Sequence, residues 1–407
     1  MSLITRTRTI EFMLFLSGYF LYRFQYGLEN EFVSFNLAPL QILCAIYALL
    51  RFPIKPIALL LVVGGALALL LVQGLYYYGV VIPESSLPGD SYEYLSAALR
   101  LWVYLFFICA YALTVRQQDL DDICNAFLKL SRFSVIVALL SLVLYHVTGI
   151  SVLLNFYAVE HLIRPQAFLS EPSAFAPIAA VLLIVGWTRG TYKDIGYALL
   201  ALAVTFSPIS IMTTVGTAFL YAFLFGIRSV LLKATIACLG LAVIVPMLTM
   251  DCVPLVTSLN GFERTLGRMS CGVQVIFDND LRDQLKYTFT NQRLTSAFIS
   301  IDHLQQYEGV FFGFGLNSSS VFMPELYGVV RENSLWFSML LFYGVVGLLV
   351  FFLVVLAALF RARNVPRDFA VLFLSLVVAS TLNSAGGFYL YSLVFFVSGV
   401  LLVGRIR

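Results

Sequence analysis

The chain has 407 residues, of which 60% are hydrophobic and only 12% charged, with a mean hydropathy of +0.92. An ordinary soluble domain carries roughly 25% charged residues, so that class is excluded. The net charge of +3 says little about partners, and nothing in it points to nucleic acid. The distribution of the charges says more.

Apolar runs of about 17–25 residues recur along the chain, each long enough to cross a hydrocarbon core. Backbone polar groups in lipid must be satisfied internally, so the runs read as helices. Their apolarity is continuous rather than alternating, which disfavours a β-barrel. The expected fold is an all-α polytopic membrane protein with about twelve transmembrane helices, in a range of ten to fourteen. In chain order these are about Ile10–Tyr26, Val33–Leu50, Ile57–Tyr78, Tyr94–Val115, Phe133–Ile150, Ser173–Trp187, Ile195–Ser207, Ile211–Ile227, Val230–Met250, Ser334–Phe360, Phe369–Asn383 and Phe388–Val403. Residues 1–250 thus form an N-terminal bundle of about nine helices, 251–333 a long loop with amphipathic helices, and 334–407 a C-terminal set of about three. Met1–Thr9 is basic, but no small-residue cleavage site follows the first run, so no cleavable signal peptide is expected.

Lysine and arginine in the short connections set the orientation. With the N-terminus inside, 16 of the 25 basic residues fall in cytoplasmic segments, from Arg6 and Arg8 to Arg405 and Arg407. Six more lie in the long loop, and only Arg23, Arg100 and Arg164 remain. Both termini are therefore expected in the cytoplasm, and the 251–333 loop on the outer side, the periplasm of a bacterial inner membrane. Asp119–Leu130 reads either as an amphipathic helix on the cytoplasmic surface or as a mere connector. Cys252 and Cys271 both fall in the outer loop, where oxidation is permitted; they form a disulfide or remain buried thiols. No His, Cys, Asp or Glu cluster has metal-ligand spacing, so no metal and no cofactor are expected.

Arg100 lies some six residues inside the fourth span, roughly 9 Å below its outer end at 1.5 Å per residue. A charge at that depth faces a cavity or a partner, or else snorkels to the interface. Arg164 opens the next constellation, Arg164-Pro-Gln-Ala-Phe-Leu-Ser-Glu-Pro-Ser173, between spans five and six. Pro165 and Pro172 forbid a continuous helix, and Pro172 fits the first turn of span six. A helix start there attracts anions, and Arg164 beside it would strengthen the attraction. Glu171 is a helix cap, a partner for an arginine, or a general base.

The Asp251–Asn333 loop holds nine acidic and six basic residues. Within it, Leu294, Ala297, Phe298, Ile301 and Leu304 recur at spacings of three and four, which predicts an amphipathic helix over the membrane carrying Arg293 and His303. His303 is a surface histidine or a catalyst. Gly309-Val-Phe-Phe-Gly-Phe-Gly-Leu-Asn317 follows, a hinge or close-packed lip rather than a phosphate cradle. Glu332 and Asn333 lie at the mouth of span ten, where Glu332 either caps the helix with Arg331 or accepts a proton from a hydroxyl. The aromatics Tyr307, Phe311, Phe312, Phe314, Tyr327 and Trp336 stack on sugars or anchor at the interface.

Taken in order, these motifs resemble the O-antigen polymerase and ligase superfamily, and its O-antigen polymerase family most. The similar elements are Arg164, Phe168, Glu171 and Pro172 before a central span; Thr205-Phe-Ser207 and Thr214-Val-Gly216 around a break between spans; Arg293 followed by Phe312, Gly313 and Gly315; and Glu332, Asn333, Gly344 and Gly347. The resemblance covers about Arg164–Gly347 by motif and the rest by topology. Ligases of this superfamily have a histidine where this chain has Glu332, a departure that favours polymerase. The resemblance implies a GT-C-type glycosyltransferase bundle. It also implies a reaction: a glycan on undecaprenyl diphosphate passes to a sugar hydroxyl of another lipid-linked repeat unit. Arg100, Arg164 and Arg293 would hold the diphosphate, and Glu332, then Glu171, then His303 would take the acceptor proton. The implied partners are undecaprenyl-diphosphate-linked oligosaccharides, the lipid bilayer and a chain-length regulator protein. The alternatives are an O-antigen ligase acting on lipid A core, a polysaccharide flippase or transporter, and a non-catalytic scaffold.

Overall fold

The computed structural model describes residues 3–27, 31–52, 64, 91–157, 162–169, 171–205, 207–226, 249–257, 310–313, 335–382 and 388–403, with isolated positions between 263 and 281. The predicted third and ninth spans, and the predicted helix carrying Arg293 and His303, lie outside these residues.

The described chain is mostly helical. Its helices are α1 (Leu3–Phe20), α2 (Ala38–Arg51), α3 (Ser91–Thr114), α4 (Leu120–Thr148), α5 (Ala176–Arg189), α6 (Tyr192–Thr205), α7 (Pro208–Tyr221), α8 (Cys252–Thr257), α9 (Leu335–Ala362), α10 (Arg367–Leu382) and α11 (Phe388–Val403). Three helical stretches are long and apolar enough to cross a membrane: Gln117–Thr148, Pro172–Arg189 and Phe342–Ala362. Shorter apolar stretches are Ala38–Arg51, Val103–Thr114, Ile209–Phe225 and Ser392–Leu402.

The helical frame is compatible with an all-α membrane protein, and two short hairpins are set into it. Where the predicted first and second spans meet, the chain forms an antiparallel hairpin of β1 (Arg23–Tyr26) and β2 (Glu31–Ser34). A second hairpin, β3 (Leu154–Tyr157) with β4 (Leu162–Pro165), follows α4. Arg-Phe-Gln-Tyr and Glu-Phe-Val-Ser are short, aromatic and β-branched, which suits a pleated surface better than a helix end. One expectation needs correction: Asp119–Leu130 is no separate surface helix. It enters α4 without a break, and Leu120, Ile123, Cys124, Phe127 and Leu128 are buried in the core.

α5 is the hub. Ten of its residues are buried, and it packs against α6, α7 and α10. A helix apolar on all sides belongs inside a bundle. The aromatic centre joins the two halves of the chain: Phe15 of α1 lies 4.5 Å from Tyr111 of α3 and 4.7 Å from Phe396 of α11.

Ion pairs tie several of the helices together. Arg8 bonds Glu11 at 2.5 Å and reaches Asp119 at 3.4 Å, held between the rings of Phe12 and Phe52. Arg132 of α4 forks onto Asp194 at 2.6 and 2.9 Å, and Arg189 bridges Asp368 at 2.6 Å and Asn125 at 3.2 Å. The two hairpins meet, with β1 against β3 and a bridge between Tyr26 and Val152.

Asp194 also accepts from Thr191 at 2.9 Å and is almost fully buried. Asp194→Ala removes both carboxylate bonds to Arg132 and the tie across the start of α6. The expected cost is about 2 kcal/mol, the range for charge-assisted hydrogen bonds, read as a lower unfolding temperature in detergent. An unchanged transition would mean that the fork contributes nothing.

Candidate functional site

The hairpin region carries the one candidate arginine and the one candidate carboxylate whose side chains are described. Arg164 sits on β4 opposite Asn155 and is buried, at 9% exposure. Strand β4 ends at Pro165, as the missing N–H of proline requires. The chain then turns through Gln166 and Ala167, whose φ is +51°. Leu153, facing Gln166, has φ +58°. Two non-glycine residues in the left-handed region cost of order 1–2 kcal/mol each. They persist because their surroundings fix them: Leu153 N–H donates to Gln25 O at 2.7 Å, and Gln166 N–H donates to Leu153 O at 3.0 Å.

Glu171 follows in extended conformation, and Pro172–Phe175 forms one 3₁₀ turn before α5. The predicted break and helix start are both present. Glu171 occupies the cap position of that turn, yet its side chain makes no capping hydrogen bond. Ser173, in the same turn, is buried.

This element is held by residues from the start of the chain. Phe168 O accepts from Tyr22 N–H at 2.9 Å and Arg23 N–H at 2.8 Å. Buried Gln166 donates from Nε2 to Oε1 of buried Gln25 at 2.7 Å. Tyr19 donates its hydroxyl to Ala174 O at 2.5 Å. Ring packing adds to the hold, with Phe168 lying 6.3 Å from Phe24 and 6.4 Å from Phe133. Arg164, Phe168 and Glu171 are thus displayed on a rigid mount rather than on a loose loop.

A second juxtaposition joins two motif elements 31 positions apart. Gly313 has φ +71° and Gly344 has φ +66°. Gly344 breaks α9, and the turn 310–313 fills the break. Val345 N–H donates to Val310 O at 2.8 Å, and Val346 N–H to Phe311 O at 3.2 Å. The carbonyls of the turn replace the partners that the kink takes from the helix. A Cβ on Gly313 would lie 2.4 Å from Phe342 C, and one on Gly344 would lie 2.3 Å from Phe311 C. The 310–313 part of the glycine-rich run is therefore a close-packed contact, and Gly313 and Gly344 are both required for it.

Arg100 lies on α3 as expected, one turn before Tyr104. Tyr104 is buried, and its hydroxyl bonds Gln41 of α2 and Ser392 of α11, while Gln41 Nε2 donates to Phe15 O at 2.7 Å. A polar knot among four helices thus lies next to the position of Arg100.

Arg293, His303 and Glu332 lie outside the described residues. Cys252 and Cys271 are joined in a disulfide, with Cα atoms 5.3 Å apart. Among the described residues, no group of three or more His, Cys, Asp and Glu gathers to hold a metal ion. Sequence reasoning missed the N-terminal contribution of Tyr19, Arg23 and Gln25. One signal exists: Arg23 shares with Arg100 and Arg164 a place outside both the expected cytoplasmic set and the long loop.

No family model matches the chain, and no curated protein matches it.

Proposed function

We propose that this chain is a glycosyltransferase of the O-antigen polymerase kind, embedded in a bacterial inner membrane by about twelve spans in a GT-C-type bundle. Both termini lie in the cytoplasm and the 251–333 loop in the periplasm. It transfers a growing glycan from undecaprenyl diphosphate to a sugar hydroxyl of a second lipid-linked repeat unit. The bond between the anomeric carbon and the diphosphate breaks, a bond to the acceptor oxygen forms, the acceptor proton passes to a carboxylate, and the lipid diphosphate leaves.

One observation carries the reading. The Phe312-Gly313 and Gly344 elements, recognised by their order along the chain, meet in backbone contact that only glycine permits. Their pairing in space supports reading them as parts of one motif. The mount of Arg164 and Glu171 adds support, because arginine recognises diphosphate through paired N–H groups and needs a fixed backbone to do so. The disulfide agrees with an oxidising outer compartment.

In the mechanism, Arg100, Arg164 and Arg293 bind the diphosphate and stabilise the charge that develops on it. Glu332 takes the proton, with Glu171 and then His303 next in rank. Glu332→Gln tests that order in a purified assay with undecaprenyl-diphosphate-linked repeat units. A fall of about 10²-fold or more in rate is expected for loss of a general base. A wild-type rate would pass the role to Glu171.

A further inference from the structure

We propose that Tyr19, in the last turn of the first helix, is a positioning residue that sets the Glu171 turn for the reaction. The proposal rests on the reading of Glu171 as a functional carboxylate.

The run Gln166–Ala174 is tethered at three levels to the seven residues Tyr19–Gln25. Gln25 bonds Gln166 side chain to side chain, and the Tyr22 and Arg23 amides bond Phe168 O. Tyr19 bonds Ala174 O, three residues past Glu171. The first two tethers precede the carboxylate and the third follows it. Between them Glu171 is linked to Ala174 by one turn, with Ala174 N–H donating to Glu171 O at 3.0 Å. Removing the Tyr19 hydroxyl deletes the tether that follows Glu171 and leaves those to Gln166 and Phe168 in place.

The tyrosine is otherwise costly to explain. It is fully buried among apolar neighbours, 5.3 Å from the ring of Phe20, where phenylalanine would satisfy the packing. A phenol in such a place earns its hydroxyl through the bond it makes. That bond goes to the turn after the candidate carboxylate, which ordinary helix–helix packing does not require.

Tyr19→Phe keeps the ring and deletes the bond. In the full-length protein, with undecaprenyl-diphosphate-linked repeat units as substrate, kcat is expected to fall at least tenfold while KM stays within twofold. The unfolding temperature is expected to hold, so that a merely structural role would not produce the split. A second arm reads geometry without activity. Glu171→Cys is labelled with a membrane-impermeant maleimide in the wild-type and Tyr19→Phe backgrounds, and at least fivefold faster labelling is expected in the latter. Equal labelling rates overturn the positioning role whatever the protein's activity. Faster labelling with unchanged kcat overturns the catalytic part and assigns the failure to the role of Glu171 rather than to the tether.

Discussion

Arg164→Ala is expected to reduce polymer formation by about 10²–10³-fold, the cost of losing one preorganised donor to a developing negative charge. Cells carrying it should accumulate single repeat units on the lipid carrier, seen on a gel as loss of the ladder. The size of the effect follows from burial. Arg164 is 9% exposed on a strand held in register with β3, so its guanidinium is preorganised rather than free in solvent. Arg164→Lys should recover only part of the activity, because an ammonium cannot present two parallel N–H groups to a phosphate. A normal ladder from Arg164→Ala would remove this arginine from the diphosphate assignment.

Gly344→Ala is expected to be at least as damaging, but through the fold. A methyl at this position would lie 2.3 Å from both Phe311 C and Phe311 O, which are main-chain atoms that no rotamer change can move aside. The residue also sits at φ +66°, unfavourable for any L side chain. Strain and overlap together imply about 3 kcal/mol or more, enough to expel the 310–313 turn from the break in α9. Expulsion would leave the amides of Val345 and Val346 without their carbonyl partners. Gly313→Ala should behave alike, since it meets the same contact from the other side. Gly196→Ala, with nothing within 4 Å of the added atom, is the control and should be silent. The measurement is the yield of folded protein in detergent, followed by activity of what remains. Wild-type yield and rate from Gly344→Ala would mean that the loop does not depend on this contact.

Much of the helical frame was legible because long apolar runs can satisfy their backbone in lipid in few ways. The starts and ends of α5, α10 and α11 lie close to the predicted bounds. The hairpins were not legible. Arg23–Tyr26 and Leu154–Tyr157 are four residues each, too short for a period-two pattern to stand out; the first reads as the end of the first span and the second as part of a connection. At Asp119–Leu130 the charges suggested a surface, whereas Arg8 draws Asp119 inward and the apolar face of that turn joins the core.

The candidate site divides in the same way. Arg164, Glu171, Gly313 and Gly344 could be named from residue type, since a charge beside an apolar span or a glycine in a conspicuous run is rare enough to notice. Their arrangement could not, because the tethers from Tyr19, Arg23 and Gln25 span about 140 positions of sequence. Tyr19 gave no signal at all: in an aromatic-rich helix it looks like any core residue, and only its hydroxyl sets it apart.

The proposed activity is the lengthening of a lipid-linked glycan by this chain itself. Its most direct test is incubation of the purified full-length protein with undecaprenyl-diphosphate-linked repeat units alone, with the products separated by size on a gel. Longer glycans still attached to the lipid carrier are the predicted result. Failure to form any product until a lipid A core acceptor is added, or unchanged substrate under all conditions, would contradict it.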